Sequence, residues 1–140
     1  MEQWELIARE SVRHTIAAYN FGGDRGRLDE LAAAFAPDGE LQIGDEEPLV
    51  GAAAIATGLS QVLRVDPAPS FLHHHVATTY FRSVTPDAVE TSSYFHVLSD
   101  VGLDHWGRYR DRFVPVADRW LFARRHVVTS GFSADSFFRG

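Results

Sequence analysis

A carboxylate and an imidazole, 50 residues apart in the chain, are the side chains best suited to proton transfer. Asp24 follows a helical segment, and His74 is the middle residue of three histidines at the start of a strand-like segment. A neutral imidazole accepts protons near physiological pH, and a carboxylate on its other ring nitrogen fixes the tautomer and stabilises the imidazolium. If the fold brings the two together, we expect His74 to be a general base with Asp24 as its partner.

Each of these residues also has a simpler structural interpretation. Asp24 follows Gly22-Gly23 and precedes a second helical segment, a position typical of a helix N-cap. His74 shares a predicted strand face with Val76 and Thr78, so it also fits a hydrogen-bonded histidine of the core. The pattern leaves the catalytic and the structural roles open for both residues.

Other side chains are candidates for binding rather than proton transfer. His73 and His75 point to the face opposite His74, but a third metal ligand at a matching spacing is not evident. We therefore expect neither a metal ion nor a cofactor. Hydroxyl donors and pocket walls for a ligand are expected from four aromatic residues and one valine, namely Tyr19, Tyr94, Tyr109, Trp106 and Val76.

Helical spacing dominates the first third of the chain, and strand patterns follow it. Apolar residues recur at three- and four-residue steps from Trp4 to Tyr19, and Gly22-Gly23 is expected to end that helix. Further helices are predicted over residues 25–35 and 52–65, with a short strand at 40–43 between them. An antiparallel meander is predicted over residues 71–84, 89–98, 105–116 and 119–129. The expected fold is α+β: a cone-shaped, curved antiparallel sheet wrapped over three N-terminal helices, with an internal pocket.

Composition limits the possible partners and locations. The 140 residues, 45% of them hydrophobic, suffice for one core, and no apolar run is long enough to span a membrane. The chain has no cysteine and no N-terminal signal-peptide pattern, so we expect a cytoplasmic protein. A net charge of −6 argues against binding to nucleic acid. The arginines of the last two strands are interpreted mainly as solvated side chains: Arg108, Arg110, Arg112, Arg124 and Arg125.

Several short motifs together resemble the SnoaL-like proteins of the nuclear transport factor 2-like superfamily. They are Tyr19-Asn20-Phe21-Gly22-Gly23-Asp24, Leu28-Asp29-Glu30-Leu31, Phe35-Ala36-Pro37-Asp38-Gly39, His74-His75-Val76, Ser93-Tyr94-Phe95, Gly107-Arg108-Tyr109-Arg110-Asp111 and Arg119-Trp120-Leu121-Phe122. The motifs extend over nearly the whole chain, and their order and spacing carry the resemblance. It implies a cone of helices packed in a curved sheet, with a pocket that opens at one end.

The resemblance also implies a site. In scytalone dehydratase and hexachlorocyclohexane dehydrochlorinase, a histidine paired with an aspartate removes a proton from carbon without a metal or cofactor. By motif matching, those two positions fall on Asp24 and His74. The tyrosines that position water in scytalone dehydratase fall on Gly23 and Ile43, and its second histidine falls on or near Ser99. That particular dehydration is therefore not expected here.

The functional expectation is correspondingly general. Polyketide cyclases of the superfamily use residues on late strands, for which the loose matches are Asp104, His105 and Asp111. We expect a cofactor-independent lyase, isomerase or cyclase for a small apolar or aromatic molecule; the alternative is a non-catalytic ligand-binding or dimerisation module.

Relatives pair through the open sheet, so a homodimer is expected. One domain is expected over residues 1–132, and a tail over 133–140 that covers the pocket mouth or contacts a second subunit.

Overall fold

A computed structural model describes residues 1–138 of the chain. Three helices and six strands follow in the order α1 (Gln3–Asp24), α2 (Leu28–Ala32), β1 (Phe35–Ile43), β2 (Leu49–Val50), α3 (Ala52–Val62), β3 (His73–Val84), β4 (Val89–Ser99), β5 (Gly102–Val116) and β6 (Arg119–Phe132). The expected α+β fold, with helices first and a curved antiparallel meander after them, is confirmed. Among residues 1–138, no helix combines the length and the apolar character needed to cross a membrane.

The strands form one sheet in the order β2-β1-β6-β5-β4-β3. Neighbours are antiparallel except β1 and β6, which run parallel, with Leu41 opposite Arg125. The four predicted strands of the meander are all present, and they leave β3 as one free edge of the sheet. The pairing of β1 with β6 was not predicted, because it joins segments that are far apart in the chain.

The first helix is longer than predicted and does not end at Gly22-Gly23. It continues to Asp24, and Gly22 faces the short helix α2. A Cβ at Gly22 would lie 2.9 Å from the backbone nitrogen of Leu31, so no larger residue fits between the two helices. These glycines therefore allow a close helix–helix approach rather than a left-handed helix end.

The second helix is much shorter than predicted, because the chain enters β1 at Phe35. Phe35 is paired with Phe122 of β6, and the two ring centres are 5.0 Å apart. Tyr19 of α1 packs against both rings, at 6.1 and 5.7 Å. This aromatic packing outweighs the helical spacing that placed Phe35 at the end of a helix.

The helices cover the inner face of the sheet and bury a large core, and a smaller cluster is formed by Phe95, Val97 and Tyr109. Thr15 of α1 donates a hydrogen bond of 2.5 Å to the carbonyl of Trp120 in β6, which fixes the helix against the sheet. The side chains of this core that are fully excluded from solvent are Val12, Leu41, Ile55, Val89, Phe113 and Phe122. The end of α1 is thereby held beside the start of β3.

Candidate functional site

The last residue of α1 and the second residue of β3 are hydrogen-bonded to each other. Nδ1 of His74 lies 2.5 Å from Oδ1 of Asp24, and the backbone N–H of His74 donates to Oδ2 at 3.0 Å. The side chain of His74 is 20% exposed and that of Asp24 is 14% exposed. Because both carboxylate oxygens are used in this way, Asp24 does not cap α2, whose N-cap position is Arg27.

The two bonds fix the position of the imidazole. The free edge of β3 directs the backbone N–H of His74 toward α1, so the same carboxylate holds the strand and the ring. An Nδ1–H that donates to Asp24 leaves the lone pair of Nε2 available, and no group within residues 1–138 hydrogen bonds to Nε2. An imidazole oriented in this manner has the arrangement of a general base.

His74 lines two spaces that we name separately. The inner cavity, of about 50 Å³, lies under the helices, and the α1–β3 groove, of about 590 Å³, runs along the seam between α1 and β3. Ligand pockets usually enclose about 300–1,000 Å³, so the inner cavity holds a few atoms and the groove supplies the remaining room. Besides His74, the inner cavity is lined by Tyr19, Asn20, Gly23, Leu31, Leu59 and Leu63.

Asn20 is the second residue that the inner cavity and the groove share. Its side chain is 8% exposed, and its Oδ1 has no hydrogen-bond partner among the described residues. A buried amide oxygen without a partner costs about 1–3 kcal/mol. Sequence reasoning missed this residue, although its position one helical turn before Asp24, on the buried side of α1, was a usable signal.

A second carboxylate–imidazole pair lies next to the first. Nδ1 of His105 is 2.7 Å from Oδ1 of Asp104, and the ring centres of His74 and His105 are 6.3 Å apart. Burial lowers the pKa of His105, and this effect outweighs the opposing effect of the Asp104 carboxylate. His105 is therefore neutral at pH 7, and its ring is in an edge-to-face arrangement with that of His74.

The Asp104 carboxylate is held by a dense set of donors. It is fully buried and accepts hydrogen bonds from the hydroxyls of Ser99 and Ser136, at 2.8 and 2.5 Å, and from the backbone N–H of Phe137 at 3.1 Å. Burial raises the pKa of this carboxyl, but the bonds from Ser136, His105, Phe137 and Ser99 together lower it to about 2. Asp104 is therefore ionised at neutral pH.

Asp104 and His105 were loose matches to the polyketide cyclase positions, and neighbouring strand residues normally point to opposite faces of a sheet. Leu103 is opposite Leu98 and His105 is opposite Val97, so a bulge leaves Asp104 without a partner on β4. The bulge allows the two side chains to hydrogen bond to each other. A bulge of this kind has no mark in the sequence, and the pair could not be deduced from alternation.

The described part of the tail packs on this second pair. Ser133 donates its backbone N–H to the carbonyl of Asp104 at 2.9 Å, and the ring of Phe138 lies 5.3 Å from that of His105. The tail predicted over residues 133–140 thus contacts β5 as far as residue 138. Residues 139 and 140 lie outside the described part of the chain.

The structure brings some of the predicted ligand-binding residues to the site and not others. Tyr19 lines the inner cavity and Val76 lines the groove. Tyr109 is 2% exposed and is packed within the core. Tyr94 is 69% exposed, and Trp106 is paired with His96; both residues lie on the outer face of the sheet, away from Asp24 and His74.

The expected alternation along β3 is wrong at Thr78. A register shift between Val76 and Thr78 places Thr78 opposite Tyr94, on the outer face, whereas His74 and Val76 keep to the inner side. Two residues of β3 at this bulge face one of β4, so the faces are reversed from Thr78 until a second register shift, between Phe81 and Ser83, restores them.

The remaining histidines of β3 have aromatic neighbours. The ring of His75 is stacked on that of His96 at 5.0 Å, and the ring of His73 lies 5.0 Å from that of Phe71. The ring centres of His73 and His75 are 6.5 Å apart. Within residues 1–138, no group of three or more His, Asp or Glu side chains is arranged to hold a metal ion.

Arg125 is not the solvated residue that strand patterning indicated. It is fully buried, and its Nε and Nη2 donate to Asp111 at 2.9 Å each. Its guanidinium lies 3.6 Å from the ring centre of Tyr109 and 4.3 Å from that of Tyr19. Burial lowers the pKa of Arg125, but the Asp111 carboxylate raises it above its usual value, so the core contains a permanent cation. The sequence could not tell which of the neighbouring residues Arg124 and Arg125 faces inward.

The two tyrosines that pack on Arg125, Tyr19 and Tyr109, are protonated because they are buried. Burial raises the pKa of Tyr19 and of Tyr109, which keeps both hydroxyls protonated at any physiological pH. Nη1 of Arg125 has no hydrogen-bond partner within the described residues. The Tyr19 side of the inner cavity is therefore aromatic and is backed by the buried Arg125–Asp111 ion pair.

Comparison with known proteins places this site in a family. The family profile for the SnoaL-like domain matches residues 4–126. A search of curated protein sequences gave no significant match. Solved structures share the fold throughout, which confirms the resemblance seen in the motifs.

Three of these structures illustrate the likeness. A protein named as a candidate scytalone dehydratase from Novosphingobium aromaticivorans is 20% identical with a TM-score of 0.77, over 96% of each chain. A protein from Catenulispora acidiphila is 27% identical with a TM-score of 0.76, over 86% of this chain and 90% of that one. ActVI-ORFA from Streptomyces coelicolor is 22% identical with a TM-score of 0.77, over 87% of this chain and 96% of that one. The SnoaL-like fold binds small molecules and is often catalytic. With most of its length matched by the family profile, the chain belongs to the SnoaL-like domain family.

Proposed function

We propose that this protein is a cofactor-independent enzyme in which His74, oriented by Asp24, removes a proton from a carbon atom of a small apolar or aromatic molecule. The observation that carries the proposal is the 2.5 Å contact between His74 Nδ1 and Asp24 Oδ1 beside a cavity. Leucines and Tyr19 make most of that cavity apolar, which suits such a ligand.

The surroundings of His74 favour its action as a base. Proton abstraction converts the imidazole to an imidazolium, and the Asp24 carboxylate stabilises that charge. The neighbouring His105 is neutral at pH 7 because its pKa is lowered, so it adds no repelling charge. Loss of a leaving group, return of the proton to another atom or attack on a second carbonyl would make the enzyme a lyase, an isomerase or a cyclase.

Substitution of the pair tests the proposal. His74→Gln should abolish proton abstraction, and Asp24→Asn should reduce it about 10²–10⁴-fold, since the ring loses its base function or its orientation. The assay is the conversion of small aromatic and alicyclic compounds followed by mass spectrometry. His96→Gln is a matched control, because His96 lies on the outer face of the sheet and should leave turnover unchanged. Full activity of His74→Gln with intact folding would contradict the proposal.

A non-catalytic binding module is the second candidate, and the α1–β3 groove of about 590 Å³ offers it room for a ligand. It predicts that a bound compound is recovered unchanged and that His74→Gln binds it as tightly as the wild type.

The proposed homodimer is tested by light scattering at micromolar concentration, where the mass of a monomer would refute it. The absence of cysteine supports the further proposal of a cytoplasmic location.

A further inference from the structure

We propose that the amide of Asn20 binds an oxygen atom of the substrate, and that the substrate is a small ketone with a removable α-proton. This inference rests on the proposed function. It assigns the hydrogen-bond donor to the substrate oxygen, which His74 as the base does not supply. A carbanion next to a carbonyl is stabilised as an enolate, whose negative charge resides on oxygen. The enzyme therefore needs a hydrogen-bond donor near the base.

The position of Asn20 fits this role. It lines both the inner cavity and the α1–β3 groove, and His74 is the one other residue common to the two. Asn20 precedes Asp24 by one helical turn, so both side chains project from the same side of α1. A ligand in contact with the imidazole in either space therefore shares that space with the amide.

Asn20 is also a buried polar residue of the inner cavity whose amide oxygen the described part of the fold leaves without a partner. It is 8% exposed, and its Oδ1 has no partner within residues 1–138. The other lining residues of the inner cavity are mostly apolar, and the ring of Tyr19 lies against the Arg125 guanidinium, whose carbon is 4.3 Å from the ring centre. A half-turn about χ2 exchanges the amide oxygen and nitrogen, so Asn20 can donate to a carbonyl or enolate oxygen.

The proton and the electrons can be followed through the step. The α-carbon gives its proton to Nε2 of His74, and the C–H electron pair becomes the C=C bond of the enolate. The π pair of the carbonyl moves onto oxygen, which accepts a hydrogen bond from the amide N–H of Asn20. In D₂O the imidazolium exchanges its proton with solvent and returns a deuteron to carbon, so the ketone acquires deuterium without any other reagent.

The test uses two measurements that fail independently. Exchange of the α-protons of acetophenone and 2-tetralone in D₂O, followed by proton NMR, reports the action of the base. Titration with 4-nitrophenolate, followed by its absorbance, reports binding of an aromatic oxyanion without chemistry. Both are made on the wild type, Asn20→Leu and His74→Gln. Gln61→Leu is the matched control, since Gln61 is an exposed amide on a helix.

We expect Asn20→Leu to exchange α-protons about 10²–10³-fold more slowly than the wild type at saturating ketone, as for loss of one oxyanion donor. It should also bind 4-nitrophenolate at least about tenfold more weakly, with no loss of resistance to urea. His74→Gln should lose exchange but still bind the phenolate. Gln61→Leu should match the wild type in both measurements.

The outcomes separate the inference from the proposed function. If the wild type exchanges ketone protons and Asn20→Leu does so equally fast, the inference is overturned and the function stands. If the wild type exchanges no ketone but binds phenolate more tightly than Asn20→Leu, oxygen binding at Asn20 is supported and the proton-abstraction proposal fails for ketones. If neither exchange nor phenolate binding depends on Asn20, the oxyanion role is refuted.

Discussion

Asp111→Leu is expected to lower the free energy of unfolding by about 3–5 kcal/mol, because it leaves the Arg125 guanidinium buried without a counter-charge. Both side chains are fully excluded from solvent and share two hydrogen bonds of 2.9 Å. Free energies of unfolding of domains are typically about 5–15 kcal/mol, so this single change removes a large part of the total stability. For a chain of this size the loss corresponds to a fall in Tm of roughly 10–20 °C.

Urea unfolding followed by circular dichroism measures the effect, and a double-mutant cycle assigns it to the pair. Arg125→Met should cost a similar amount, because it strands the Asp111 carboxylate instead. The double variant Asp111→Leu/Arg125→Met should be more stable than either single variant, since no unpaired charge remains. The cycle therefore predicts strong positive coupling between the two sites.

An exposed pair on the same sheet provides the control. Glu90 on β4 and Arg112 on β5 are 3.7 Å apart, with side chains about half exposed. Glu90→Gln should change the free energy of unfolding by no more than about 0.5 kcal/mol, because solvent screens the pair. The reasoning is refuted if Asp111→Leu costs less than about 1 kcal/mol, or if the two single losses simply add in the double variant.

Three further predictions concern the second histidine pair and a close contact in the sheet. The pKa of Asp104 is lowered to about 2, so its contribution to stability is complete above the usual carboxyl pKa and is lost as the pH falls toward 2. The stability advantage of the wild type over Asp104→Asn should thus shrink by about 2 kcal/mol between about pH 5 and pH 2 in urea titrations. The pKa of His105 is also lowered, so the unfolded chain takes up its proton first and stability decreases as the pH falls below about 6.5. His105→Gln should flatten this part of the stability profile, and an unchanged slope would contradict the assignment. A Cβ at Gly107 would lie 2.1 Å from the carbonyl oxygen of Val128, so Gly107→Ala should cost about 3 kcal/mol or more. Gly44→Ala, where φ is +57° and nothing lies within 4 Å, should cost only about 1–2 kcal/mol by the same measurement.

The meander could be predicted from the sequence because its signals are local. Short turns and alternation of apolar residues mark each strand, and the four strands extend in the structure over nearly their predicted ranges. The third helix also begins where predicted, at Ala52, and ends at Val62. Where contacts between distant segments decide, the prediction failed: Phe35 joined a strand because of its packing on Phe122.

The candidate site was only partly accessible to such reasoning. Asp24 and His74 could be paired through the family resemblance, since each lies at an element boundary that the motifs locate. The bulges in β3 and β5 could not be foreseen, and they decide the face of Thr78 and the contact of Asp104 with His105. Asn20 was overlooked because an unused hydrogen-bonding group is a property of packing rather than of spacing.

The parallel pairing of β1 with β6 imposes an order on the synthesis and folding of the chain. Leu41 lies opposite Arg125, which is 84 residues further along. At about 5–20 residues per second, a ribosome adds Arg125 roughly 4–17 s after Leu41. During that time β1 has no strand of the meander to pair with, and the core aromatic residues that pack on Phe122 of β6 stay exposed. The nascent chain should therefore depend on chaperones until β6 is made, and a stop codon before β6 should give an aggregating fragment rather than a smaller folded domain.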